Sequence, residues 1–176
     1  MRFPLQVLFV CTGNICRSPT AERLLVAEAV RHRVDLQASS AGTRAVAGSS
    51  MHPDAAKALA QFGGDISNFT ARQLTPRVAS ETDLILTMTR SHRDAVLGLA
   101  PKQLRRTFTL TELARLIEEF GASTAIEDLW SLRPHLRPED TPDIPDPIGR
   151  PAEFHLQIAT VIRHYIQQLV QHWTCA

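Results

Sequence analysis

The chain has 176 residues, 44% hydrophobic and 21% charged, which suits one domain over residues 1–176 that buries a core without a disulfide or metal staple. Nineteen Lys and Arg stand against 18 Asp and Glu, a formal charge of +1, so nothing argues for a nucleic acid or an anionic membrane as partner. Cys11, Cys16 and Cys175 form no disulfide framework, no apolar stretch approaches 18 residues, and Leu5–Val10 is too short for a secretion signal; a cytoplasmic protein with catalytic or redox-sensing thiols is expected.

Gln6–Val10 reads as a buried strand. A helix follows from Pro19 to about His32, with Ser18 as N-cap, Pro19 at the first helical position and Glu22 near the positive end. Asp35–Ser39 is a short strand, and SAGT at 40–43 is a turn. Pro53–Phe62 is helical and stops at Gly63-Gly64, which can take the left-handed conformation. TDLILTM, residues 82–88, is a strand, and Ser91–Leu99 is a helix stopped by Pro101. RRTFTL, residues 105–110, is a strand, after which Thr111 caps a helix over Glu112–Phe120 that ends at Gly121. Residues 121–150 carry Pro134, Pro138, Pro142, Pro145 and Pro147, a long stiff loop region with a helical turn over 126–132; such loops are often functional. From Pro151 to about Trp173, Phe154, Ile158, Ile162, Ile166 and Leu169 keep a helical period. Strands alternating with helices predict an α/β fold with a parallel sheet covered on both faces, and ligands in such sheets bind beyond the carboxyl ends of the strands.

VLFVCTGNICRSPTAERLL, residues 7–25, lies at such an end. A helix N-terminus offers unpaired N–H groups and positive partial charge. Gly13 permits close backbone approach and unusual φ, and Asn14 tolerates the left-handed region, so successive amides can curl into an anion nest. Arg17 adds a planar fork that matches two phosphate oxygens. A thiol at Cys11, in the base of that bowl, is set to lose its proton and act as nucleophile. Ser18 can donate its hydroxyl to the thiolate. A leaving oxygen also needs a proton donor. Asp146 in IPDPIG is the first candidate, since a residue before Pro is kept out of the helical region; Asp143 is its rival. His155, His164 and His172 lack i, i+4 ligand spacing and no C-x2-C pair exists, so no metal is expected and these histidines read as surface or partly buried helix residues. His92 follows a strand, and the pattern leaves its distance from the site open.

VLFVCTGNICRSPTAE closely resembles the phosphate-binding loop of the low-molecular-weight protein tyrosine phosphatases, bacterial type. SAGT at 40–43, TARQL at 70–74, DLILTMTRSHR at 83–93 and DPIG at 146–149 fall in that family's order. The resemblance implies a three-layer fold with a central four-stranded parallel sheet, and two-step hydrolysis of phosphotyrosine without metal or other cofactor. Cys11 attacks phosphorus. Arg17 and the loop Thr12, Gly13, Asn14, Ile15, Cys16 and Ser18 bind the phosphate. Asp146 serves as acid and then base. It also implies that Ser40 supports Asn14, that Cys16 can pair reversibly with Cys11 on oxidation, and that the partners are phosphotyrosine proteins and a tyrosine kinase. Three departures are visible. Phe69 stands where relatives often carry His, Ile148-Gly149 stands where an aromatic pair often follows Asp-Pro, and RAVAGSSMHP at 44–53 lacks the aromatic of the opposite wall.

Two other chemistries share this scaffold. Protein arginine phosphatases also tend to carry a small turn after Asp-Pro but typically have Thr where this chain has Ile15. Thiol-dependent arsenate reductases typically read Asn-Ala-Gly-Arg-Ser rather than Asn-Ile-Cys-Arg-Ser and need further cysteines for the relay; Cys175 lies at the far C-terminal end and reads as a tail thiol. A non-enzymatic phosphate-binding module would lack the nucleophile or the acid, and neither is missing.

Overall fold

The computed structural model describes residues 4–121 and 124–175. Four strands, β1 (Leu5–Cys11), β2 (Leu36–Gly42), β3 (Leu84–Thr87) and β4 (Thr107–Thr109), form one sheet in the order β2-β1-β3-β4, with every pair parallel. In β1 the side chains alternate: Leu5, Val7, Phe9 and Cys11 join one core cluster, Leu8 and Val10 the other. The run is apolar throughout because helices cover both faces. α1 (Arg17–His32), α2 (Pro53–Gln61), α5 (Leu110–Phe120) and α7 (Ala152–Cys175) pack on the first face, and α3 (Pro76–Ser80) and α4 (Arg90–Leu99) on the second. α6 (Ile126–Leu129) and short 3-10 turns at Trp130–His135 and Pro138–Asp140 punctuate the proline-rich segment before α7. Phe9 on β1 and Phe108 on β4 are fully buried in the first cluster, where truncation to Ala costs about 3–5 kcal/mol.

Several boundaries differ from the sequence expectation. SAGT is not a turn up to its third residue: β2 runs through Gly42, pairing Ser40 with Phe9 and Gly42 with Cys11. A Cβ on Gly42 would lie 2.5 Å from the Thr12 carbonyl oxygen, so the strand approaches the loop after β1 only because this residue is Gly. β4 is shorter than expected, with Arg105-Arg106 in a 3-10 turn and Leu110 already helical. Thr109 caps α5, in place of Thr111: its hydroxyl accepts the Glu112 N–H and Glu112 accepts the Thr109 N–H, both at 3.1 Å, a reciprocal capping box. α3 was not expected; Thr75 caps it and Pro76 opens it.

Candidate active site

β1 ends at Cys11 and α1 begins at Arg17, so residues 12–16 turn the chain from strand to helix. Cys11 is buried, with Sγ 3.0 Å from Ser18 Oγ. Ser18 was expected as the helix cap. The helix instead starts one residue before Ser18, and Cys16 takes the cap position without a side-chain bond. The Ser18 hydroxyl turns back to Cys11 and accepts a hydrogen bond from Asn14 Nδ2 at 2.9 Å. The Ser18 hydroxyl thus bridges the Asn14 amide and the Cys11 sulfur, and its proton is free to point at the sulfur.

The left-handed residue of the loop is Asn14, at φ 56°, and not Gly13. A Cβ on Gly13 would meet Ile15 Cγ1 at 3.5 Å, Val46 Cγ2 at 3.7 Å and Ile15 Cδ1 at 3.9 Å, all ordinary contacts. Asn14 is fully buried and held on three sides: Nδ2 donates to Ser18 Oγ and, at 2.8 Å, to Ser40 Oγ, and Oδ1 accepts the Arg72 N–H at 2.9 Å. The Ser40 hydroxyl donates in turn to Glu22 Oε2 at 2.5 Å, and burial raises the Glu22 pKa above its ordinary value. Arg72 Nε donates to the Ser40 carbonyl at 2.8 Å. Polar support for the loop therefore runs through Ser40, Glu22 and Arg72. Phe69 packs against the core with the Arg23 guanidinium 5.8 Å from its ring centre.

Arg17 is 4% exposed. Nη1 donates to the Ile144 carbonyl at 3.0 Å and Nη2 to Asp146 Oδ2 at 2.7 Å, while Nε is buried with no partner. A buried guanidinium N–H without an acceptor is costly unless a ligand supplies one. Asp146 is half-exposed, and its other oxygen accepts the Ile148 N–H at 3.1 Å. Asp143 is used elsewhere: it accepts the Arg90 N–H at 2.8 Å at the start of α4. The two carboxylates left open by local sequence are thus separated, and only Asp146 reaches the cavity.

That cavity has a volume of about 260 Å³ and is lined by Cys11, Thr12, Gly13, Ile15, Cys16, Arg17, Arg44, Val46, Asp146 and Ile148. Asn14, Ser18 and Ser40 lie buried behind it. Arg44, Val46 and Ile148 line it beside the loop residues, and no aromatic among the described residues is part of its lining. His92 reaches the loop: Nε2 is 2.8 Å from Thr12 Oγ1 and Nδ1 is 2.9 Å from Thr89 Oγ1. Burial, and then Arg17, lower its pKa to about 4, so it stays neutral. Sequence reasoning missed Glu22 and Arg72 as loop supports and left His92 undecided, because their contacts depend on packing between separate parts of the chain; Arg44 and Val46 lie in the 44–53 segment that the resemblance placed on the opposite wall.

Cys11 and Cys16 are both free and buried. The Cys16 thiol is pushed up to about 12, by burial first and then by Cys11 and Asp146. The Cys175 side chain lies outside the described residues. One histidine expectation is overturned: His155 is 2% exposed, its ring stacked on that of His52 at the N-cap of α2. With Cys16 and His52 it makes a group of three ligand atoms within 4.8 Å of one another.

A parallel sheet whose first strand ends at a buried cysteine, with a buried arginine facing the same cavity, defines an α/β domain with its candidate site at the carboxyl end of the strands. The chain matches the family described as low molecular weight phosphotyrosine protein phosphatase over residues 6–174, and it belongs to that family. It is 42% identical over 97 residues to the low molecular weight protein-tyrosine-phosphatase Wzb of Salmonella typhi, covering 55% of this chain and 62% of that relative. It is 33% identical over 128 residues to the protein-arginine-phosphatase of Bacillus subtilis, covering 69% of this chain and 84% of that one. The crystal structure of a low molecular weight protein tyrosine phosphatase from T. tengcongensis superimposes with a TM-score of 0.75 at 30% identity, covering 95% of this chain and 98% of that one. No helix among the described residues is long and apolar enough to cross a membrane.

Proposed function

We propose that the chain is a metal-independent protein tyrosine phosphatase that works through a cysteinyl-phosphate. One observation carries the reading: Cys11 Sγ, hydrogen-bonded to Ser18, lies at the base of a cavity that Arg17 and Asp146 also line. The Cys11 thiolate attacks phosphorus in line, forming S–P as the P–O bond to the tyrosine breaks. Arg17 and the amides of residues 12–16 hold the three non-bridging oxygens. The phosphate takes over the Arg17 donors, freeing Asp146 to bring a proton to the leaving phenolate. Water then attacks phosphorus, Asp146 accepts its proton, and the thiolate leaves towards the Ser18 hydroxyl. Thr12, Gly13, Ile15 and Cys16 contribute backbone to the phosphate cradle; Asn14 and Ser40 hold its shape. By family resemblance Cys16 is the partner for a reversible disulfide with Cys11. The whole chain acts as one cytoplasmic domain on phosphotyrosine proteins, with a tyrosine kinase as its opposing partner.

A second reading, protein arginine phosphatase, is favoured by the length of the match to the B. subtilis relative and by the Gly149 turn after Asp146-Pro147-Ile148, at φ 74°. Ile15 argues against it: its side chain lines the cavity, where the smaller phosphoarginine geometry calls for Thr. Turnover of matched phosphotyrosine and phosphoarginine peptides decides between them. Faster phosphotyrosine hydrolysis is expected; faster phosphoarginine hydrolysis would sink the first reading.

A further inference from the structure

Three side chains that the proposed reaction does not use as acids, bases or nucleophile meet behind the phosphate loop. Cys16 caps α1, His52 precedes α2 at its cap, and His155 stands in the first turn of α7. Their ligand atoms lie within 4.8 Å of one another. His155 is buried, and neither ring nitrogen makes a hydrogen bond of normal geometry, although the Pro147 backbone lies beside its ring. A buried imidazole so weakly partnered carries a cost that a ligand would relieve.

We infer that Cys16, His52 and His155 form a site for a borderline-soft divalent metal ion, of which Zn²⁺ is the representative. One thiolate and two imidazoles suit Zn²⁺ and exclude Mg²⁺ and Ca²⁺, which take oxygen ligands. Around a tetrahedral Zn²⁺, with bonds of about 2.0–2.3 Å, neighbouring ligand atoms stand roughly 3.5 Å apart, so the cluster closes by about 1 Å on binding. The imidazoles now lie stacked, centroids 4.6 Å apart and 14° between planes, and their lone pairs do not yet converge. Half-buried His52 supplies the rotation, giving up the long 3.3 Å bond that its Nδ1 accepts from Asp54 N–H. Binding forms an S–M bond and releases the Cys16 proton to solvent. A water completes the fourth position, and Asp54 supplies negative charge beside both Cys16 and His155. Bound metal ties the residue before Arg17 to α2 and α7.

Anaerobic titration of reduced protein with Co²⁺, followed by displacement with Zn²⁺, tests this through the thiolate-to-cobalt charge-transfer band. A Cys175→Ser background removes the tail thiol. The parent and Cys11→Ser proteins are expected to saturate at one ion per chain and to lose the band on adding Zn²⁺. Cys16→Ser should lack the band, and His155→Phe and His52→Asn should each bind at least about tenfold more weakly. A band that survives Cys16→Ser or vanishes in Cys11→Ser overturns the assignment, as does undiminished affinity in either histidine variant or an absence of saturable binding. Thermal transitions identify any variant that fails to fold; His52→Asn, which retains a capping side chain, decides if His155→Phe does. The readout is metal binding, so it is independent of whether the chain hydrolyses phosphotyrosine.

Discussion

Asn14 Nδ2 donates to Ser40 Oγ across 2.8 Å, and this bond joins the loop after β1 to the neighbouring strand β2. The same amide holds Ser18, so one side chain fixes both the shape of the loop and the hydroxyl facing Cys11. Asn14→Ala removes three hydrogen bonds, orphans buried partners and leaves a residue ill-suited to φ 56°. The expected cost is about 2–4 kcal/mol in denaturant unfolding, with kcat falling further than stability alone explains. An Asn14→Ala protein with unchanged kcat would remove the positioning role.

Ser18→Ala tests the thiolate contact. In the proposed mechanism Ser18 steadies sulfur as attacker and as leaving group. A loss of about ten- to a hundredfold in kcat is expected from one preorganised donor, with phosphoenzyme accumulating when the leaving group is good. Rapid-quench kinetics separate the two steps. Slowed attack with undiminished breakdown would confine Ser18 to the first step.

Asp146→Ala should lower kcat by about 10²–10⁴ on phosphotyrosine. The loss should shrink on an ester whose leaving group needs no proton. Equal losses on good and poor leaving groups would deny Asp146 the acid role and leave it only as the partner of Arg17 at 2.7 Å.

His92 gives a pH signature. Its folded pKa is near 4 against an ordinary 6.5, so the unfolded chain takes up a proton that the folded protein refuses. Its contribution to stability is therefore intact above about 6.5 and is lost as pH falls from 6.5 towards 4. Comparing pH-stability curves of the parent and His92→Asn isolates it: the parent should fall more steeply across that window. Ring signals that titrate near 6.5 in the folded protein would contradict the buried, neutral assignment.

How much of this was legible beforehand depends on how far each cause reaches along the chain. The run from Leu5 to Cys11 and the Gly-Asn-x-x-Arg-Ser spacing carry their cause locally, and strand, loop and helix follow from them. Ser18 was misread as a cap because its preference for that position is real, yet a thiol and an amide competed for its hydroxyl and won. Asn14 takes the left-handed conformation that its residue type allows, its side-chain bonds compensating the backbone, while the unusual φ that Gly13 permits is not used. Thr111 lost the α5 cap to Thr109 because only Thr109 stands three residues before Glu112, as a reciprocal box requires. His92, Arg72 and the burial of His155 depend on which element packs over the loop, which no local spacing encodes.

The central claim is that Cys11 carries the phosphoryl group. Reacting the protein with a phosphotyrosine peptide in the presence of chelator, quenching in acid and mapping the modified residue by mass spectrometry tests it directly. Phosphate on Cys11 is the predicted result, with both adduct and turnover absent in Cys11→Ser; turnover that survives Cys11→Ser would contradict the account.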